Sequence, residues 1–275
     1  MSTDAPPLHN QLEPGGLLRA FEAHPPQGFA PLPGWPAPAF TAPFDLLTTA
    51  DPALQTRVAR WPWLARRLRW QTDFVGATVS EYAPMPRQDP AQLAAALRAQ
   101  AGQRMLTIVK DLPHDSPLLP EEDNRHARQL CEALARQGFV LLEGQALAYV
   151  PIDFAGIDEY LARLSKSRRA NLRRKLKSRA RLRVARVPTG AAFADDARVD
   201  AYYALFDAVY AQSEIHFDRP TRAFFATVLR DGGSGGIAFE YRDAASDALL
   251  GWNLCFEHGG KLIDKYIGLA YPAAR

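Results

Sequence analysis

The sequence predicts a mixed α/β fold, an α+β arrangement on a mixed sheet. Three features carry that prediction. Short runs rich in β-branched and aromatic residues alternate with longer segments of helical period. Pro and Gly punctuate the boundaries between them. The chain ends in three successive strand-like runs separated by turn signals. With 275 residues, 47% apolar and 23% charged, the composition is globular and excludes disordered, collagenous and repeat-only proteins.

Residues 1–43 are Pro-rich and read as an extended or irregular lead-in, part of it lying on the folded body through Phe29, Trp35 and Phe40. A first α/β unit is expected over 44–152. Ala53–Leu68 reads as a helix broken at Pro62. Arg69–Tyr82 has strand character, stopped by Pro84 and Pro86. Pro90–Ala101 is a helix with Pro at its first turn, where the missing N–H does no harm. Arg104–Lys110 is a compact strand run. Glu121–Gln137 is amphipathic, with Ala127, Leu130, Cys131 and Leu134 on one stripe and Gly138 behind it. Phe139–Glu143 and Ala146–Ile152 then read as a hairpin across Gly144-Gln145.

The second unit is expected over 153–275. Ile157–Arg179 is helical, with Ser165, Ser167 and Asn171 as points where it could divide. Arg181–Val187 alternates like a strand, Val199–Ser213 and Thr221–Arg230 are helices, and Gly236–Arg242, Leu249–Glu257 and Lys261–Leu269 form a meander.

Charge is unevenly spread. The chain has 33 Lys and Arg against 30 Asp and Glu; twelve of the basic residues and none of the acidic ones fall between Arg163 and Arg186, which leaves 21 basic against 30 acidic elsewhere. Such a block either binds an anionic partner or forms a solvated helix face. Its candidate anion-binding groups are Ser165, Lys166, Arg168, Arg169, Arg173 and Arg174, since guanidinium forks grip phosphate in pairs and lysines act as point charges. With no 18-residue apolar run, no secretory leader pattern and only Cys131 and Cys255, the expectation is a cytoplasmic protein without membrane span, disulfide framework or metal. The Gly-x-Ser-x-Gly match at Gly232-Gly233-Ser234-Gly235-Gly236 precedes a strand rather than opening a helix, as a nucleophile elbow would, so a serine hydrolase is not expected. His114, and His216 between Glu214 and Asp218, are weaker candidates with capping or packing roles as their alternatives.

The last hairpin is the most informative piece. With Gly259-Gly260 as a two-residue turn, an unbroken register places Phe256 opposite Ile263, Leu254 opposite Lys265 and Asn253 opposite Tyr266. One face then carries Trp252, Leu254, Phe256, Ile263, Lys265 and Ile267; the other carries Asn253, Cys255, Glu257, Leu262, Asp264 and Tyr266. A Lys265 in an apolar row either meets an anion or takes a proton at lowered pKa, or it snorkels at the sheet edge. The polar face either holds acid–base groups or is simply solvated.

The stretch YLARLSKSRRANLRRKLKSR followed by a strand, then AYYALFDAVYAQSEIHFDRP, then LLGWNLCFEHGGKLIDKYIGLAYP resembles the predicted N-acyltransferases of the GNAT/Fem-like superfamily, which include peptidoglycan- and cellulose-biosynthesis-type acetyltransferase domains. The likeness covers about 153–275; residues 44–152 share only the element order of that fold's closing half. It implies tandem GNAT-like units and transfer of an acyl or aminoacyl group from CoA or tRNA to an amine, with acyl-CoA as cosubstrate. tRNA or a lipid pyrophosphate would be the anionic partner. For this chemistry the resemblance implies Glu257 or Asp264 as the base and Tyr266 as the acid, with Lys265 beside them. It also implies a Gly-rich phosphate turn after the fourth strand, where this sequence has Tyr271-Pro272-Ala273-Ala274-Arg275, so the second unit is expected to be incomplete and to self-associate through its last strand. Gly232-Gly233-Ser234-Gly235-Gly236 precedes a strand rather than a helix and reads as a loop. Two other classes compete: a nucleic-acid- or anion-binding module built on the basic helix, and a non-catalytic, truncated acyltransferase scaffold.

Overall fold

A computed structural model describes residues 8–46, 61, 67–213 and 217–271. It is mixed α/β, with seven α-helices and two four-stranded sheets among these residues. The chain divides into two compact units, one of Met1–Gln145 with Ile215–Val228 and one of Ala146–Glu214 with Leu229–Arg275.

The first unit opens with α1 (Gly15–Ala23), so the Pro-rich lead-in is more structured than its composition suggests. It also supplies β1 (Ala30–Pro31) and most of β2 (Ala39–Asp45), which runs across the expected boundary at 43/44. Pro31 is tolerated because β1 is an edge strand. β3 (Arg69–Val75) pairs antiparallel with β2 and parallel with β4 (Thr107–Val109), the crossover between them carrying α2 (Pro90–Gln100). Asp89 caps α2, accepting from the backbone N–H groups of Ala91 and Gln92. α3 (Glu121–Arg136) follows and puts Leu130, Ala133 and Leu134 against Val75, Met85, Leu93 and Leu97. Phe40, stacked between Phe29 and Phe74, anchors an aromatic cluster that Phe44 and Phe217 complete.

The helix read over Ala53–Leu68 falls almost wholly outside the described residues. The hairpin read over Phe139–Glu143 and Ala146–Ile152 does not form: neither run enters a ladder, and Val140, Leu142 and Ile152 are 82%, 87% and 72% exposed. β-propensity becomes a strand only where a neighbouring backbone supplies the hydrogen bonds, and no described strand does so here.

In the second unit the helical stretch expected over Ile157–Arg179 is divided into α4 (Ile157–Arg163) and α5 (Lys166–Lys177) at one of the three points the sequence offered. The break comes at Ser165, whose hydroxyl caps α5 by accepting from the Arg168 N–H. β5 (Leu182–Pro188), α6 (Asp196–Gln212) and α7 (Arg222–Arg230) precede the meander of β6 (Gly236–Asp243), β7 (Leu249–His258) and β8 (Lys261–Leu269); α7 begins in the first unit and its last turn lies in the second. The sheet is antiparallel throughout, in the order β5-β6-β7-β8.

α6 covers one face of this sheet. Its Tyr202 stacks on Trp252 at 5.0 Å and accepts, through its carbonyl, a hydrogen bond from the indole N–H. Leu254 and Phe256 are fully buried on the same face. Gly268 lies opposite Trp252, where a Cβ would come within 2.4 Å of the indole nitrogen, so only glycine lets the ring seat against the strand.

The expected hairpin register holds from the turn, where Gly259 and Gly260 both take positive φ, as far as the pair Cys255–Asp264. It then slips by one residue. Leu254 pairs with Tyr266 and Asn253 with Ile267, leaving Lys265 as the extra residue of a β-bulge. Lys265 is therefore not opposite Leu254, Tyr266 sits on the covered face, and Ile267 on the other.

Candidate functional site

The second face of the β5–β8 sheet is the candidate site. Antiparallel pairing sets its members: Arg186 opposite Phe239, Val184 opposite Tyr241, Phe239 opposite Asn253, and Cys255 between Ile237 and Asp264. Arg186 lies over the Phe239 ring at 5.8 Å.

Asp264 is the focus of this face. It is exposed, and the Asn253 side-chain amide donates to both its oxygens at 3.1 and 3.2 Å. The Cys255 thiol donates to it at 3.7 Å. No Lys or Arg among the described residues pairs with it. A carboxylate held only by neutral donors keeps its negative charge available to an incoming cation such as an ammonium group.

Burial, followed by the neighbouring Asp264 charge, pushes the Cys255 thiol up to about 12, so it is no nucleophile at neutral pH. Tyr241 is half-buried, and burial raises its phenol, with the Cys255 and Asp264 charges adding to the effect. It thus stays protonated and able to donate. Sequence reading missed Tyr241. Carrying the alternation of Gly236–Arg242 across the next turn would have placed Tyr241 on the face of Asn253 and Cys255.

The remaining sequence candidates separate. Glu257 belongs to the same face but nearer the turn, where it is exposed and lines an open hollow of about 470 Å³ with Thr189, Gly232, Gly236 and His258. Tyr266 meets Phe206 edge-on at 6.3 Å on the covered face and is not brought together with Asp264. Lys265, in the bulge, is half-buried. His114 is exposed in the first unit, and His216 lies outside the described residues.

The anion-binding candidates do sit together, on α5. Lys166, Arg168, Arg169, Arg173, Arg174, Lys175 and Lys177 share a twelve-residue helix with no acidic residue in it. None of the seven forms an ion pair among the described residues. Arg169 contacts the Ala162 carbonyl and Arg174 the Asn171 side chain. Arg163, by contrast, is taken up by Asp153 and Glu159. Ser165 is occupied as a helix cap.

Among the described residues no helix is long and apolar enough to cross a membrane, and no group of three or more His, Cys, Asp or Glu is placed to hold a metal ion. Comparison of the chain with family models, with characterised proteins and with solved structures gives no match.

Proposed function

We propose that the chain is an N-acyltransferase of GNAT type, with Asp264 as general base and Tyr241 in the acid role that the sequence reading gave to Tyr266. The carrying observation is an Asp264 carboxylate with no Lys or Arg partner among the described residues, on the same open sheet face as the protonated Tyr241 phenol. The strand order of the second unit supports the same reading: one strand, two helices and three strands, paired antiparallel in chain order.

In this mechanism Asp264 removes a proton from the acceptor ammonium. The freed amine attacks the acyl carbonyl of a thioester donor. The tetrahedral intermediate collapses by breaking the C–S bond; Tyr241 protonates the departing thiolate and recovers its proton from the attacking nitrogen, with no covalent enzyme intermediate. Acyl-CoA fits as the donor, its phosphates matching the cations of α5; with an aminoacyl-tRNA donor the C–O ester bond breaks instead and the deacylated tRNA leaves with its hydroxyl protonated.

The test is thiol release from a panel of acyl-CoA donors with primary-amine acceptors, using the wild-type chain, Asp264→Asn and Tyr241→Phe. Loss of roughly 10²-fold or more in kcat for Asp264→Asn, reversed in part at high pH where the amine is already neutral, supports the assignment. Turnover unchanged in Asp264→Asn removes it. One observation favours a second reading, a polyanion-binding module: seven cations on α5 with no acidic partner among the described residues. RNA binding with a steep salt dependence and no turnover of any acyl donor would select that reading.

A further inference from the structure

The first unit buries a polar cluster that the proposed chemistry does not use. His9 and Asp123 are each 5% exposed, and His126 is 7% exposed. The His9 Nδ1–H donates to Asp123 Oδ1 at 2.6 Å, and the other oxygen of Asp123 accepts from the Asn10 backbone N–H at 3.2 Å. His9 also exchanges backbone hydrogen bonds with Met85 at 2.7 and 3.2 Å. Further along, the Glu13 carboxylate accepts from the Glu81 N–H at 2.8 Å. Residues 9–13 are thus tied to the loop after β3 and to α3 by polar contacts.

His126 lies beneath this tie. Its ring stacks on that of His9 at 4.0 Å, and its Nε2–H donates to the Gln88 carbonyl at 3.1 Å. That bond fixes the neutral tautomer and leaves Nδ1 as a lone pair, buried and without a partner among the described residues.

We propose that residues 9–13 form a strap closed by a proton-sensitive latch, in which protonation of His126 releases the strap from Met85 and Asp123. A proton on Nδ1 creates a buried N–H⁺ with no acceptor, stacked on a second imidazole. The charged groups facing His126 are His9 on the strap, Asp123 one turn earlier on α3, and Arg87 on the loop. Arg87 is itself committed to Glu122 at 2.9 Å, with its other nitrogen 3.9 Å from Asp123. Burial lowers the His126 pKa, His9 and Arg87 lower it further, and the Gln88 carbonyl and Asp123 only partly oppose this. The direction of the effect follows. Above the ordinary histidine value both closed and released forms are neutral and the latch is at full strength. As the pH falls through that value the released form takes the proton first, and closure weakens until the lowered pKa is passed. Release uncovers Met85 and Ala83, both fully buried when the strap is closed.

Hydrogen exchange on the 275-residue chain tests this. After correction for intrinsic exchange, the opening constant for the amides of His9, Asn10, Glu81 and Met85 should rise about tenfold between pH 7.5 and 5.5, for an ordinary histidine pKa of about 6.5. Amides of β2 and β3 should hold constant. His126→Gln, which can still donate to the Gln88 carbonyl but cannot charge, should abolish the rise. Should that variant fail to fold, NMR titration of the wild-type imidazole serves instead: its midpoint should fall below 6.5 and track strap opening. A constant opening equilibrium, an equal rise in the β2 and β3 amides, the same rise in His126→Gln, or a His126 midpoint above 6.5 would each overturn the latch.

Discussion

Glu240 offers the sharpest test of how the second unit is held together. Its carboxylate is 2% exposed and accepts from Tyr202 and Arg198 at 2.7 Å and from Arg242 at 2.8 Å. Glu240→Ala removes the acceptor of all three. The Tyr202 hydroxyl, buried under α6, is left unsatisfied at a cost of about 1–3 kcal/mol. The arginine side chains are 33% and 24% exposed and can be partly rehydrated, so the loss should sit near the low end of that for breaking a buried ion pair, about 3 kcal/mol. At roughly 4 °C per kcal/mol for a unit of this size, the melting transition of the second unit should fall by about 12 °C. The carboxyl supplies an independent check. Burial raises its pKa, but the bonds from Arg242, Tyr202 and Arg198 outweigh burial and bring it to about 2 from the usual 4.5. Its stabilisation is therefore complete above about pH 4.5 and is lost as the pH falls from there towards 2. Thermal unfolding of wild type and Glu240→Gln, followed by circular dichroism, should show a wild-type advantage that shrinks over that window. A Glu240→Ala transition within about 3 °C of wild type, or an advantage that does not change with pH, would show that the three partners find other acceptors and that the network is not a principal support.

Other substitutions probe the rest of the second unit. Gly268→Ala should cost about 2–4 kcal/mol in urea unfolding, because the added Cβ meets Trp252 at 2.4 Å and Leu205 at 2.9 Å; an unchanged midpoint would mean the strand can shift freely. Cys255, with its thiol held at about 12 rather than 9, should carry about a thousandfold less thiolate than an ordinary thiol at pH 8, and fast labelling of the native protein at this residue would contradict the geometry around Asp264. Arg169→Ala and Arg173→Ala should each weaken retention on a phosphate-bearing resin by about 1–3 kcal/mol and leave the melting temperature nearly unchanged. Easy unfolding with retention intact would make these arginines structural.

Local signals read well from sequence where they were self-sufficient. Pro90 behind the Asp89 cap, the apolar stripe of α3 and the Gly-Gly turn at 259–260 each specify their geometry through near neighbours, and the observed elements start within a residue or two of expectation. What depends on distant partners was not legible. Ala30–Pro31 and Ala39–Asp45 look like linker until β3 is available to pair with, and Phe139–Glu143 looks like a strand although no described strand accepts it. The candidate site divides along the same line. Asp264 was placed correctly by counting from the turn, because the register is regular as far as Cys255. Beyond that point one extra residue in the strand reverses the alternation, so Tyr266 was assigned to the wrong face. Tyr241 went unseen because its neighbours lie on another hairpin.

The bulge gives β8 one position where its length can change without disturbing the rest. Elsewhere between Lys261 and Leu269, losing a residue would turn every later side chain to the opposite face, sending Tyr266 to solvent and Ile267 into the core. Removing Lys265 alone would close the ladder with Leu254 still opposite Tyr266, Asn253 opposite Ile267 and Cys255 opposite Asp264. A chain one residue shorter at this point would keep the same faces, and length variation along the strand should collect at Lys265 and be excluded on either side of it.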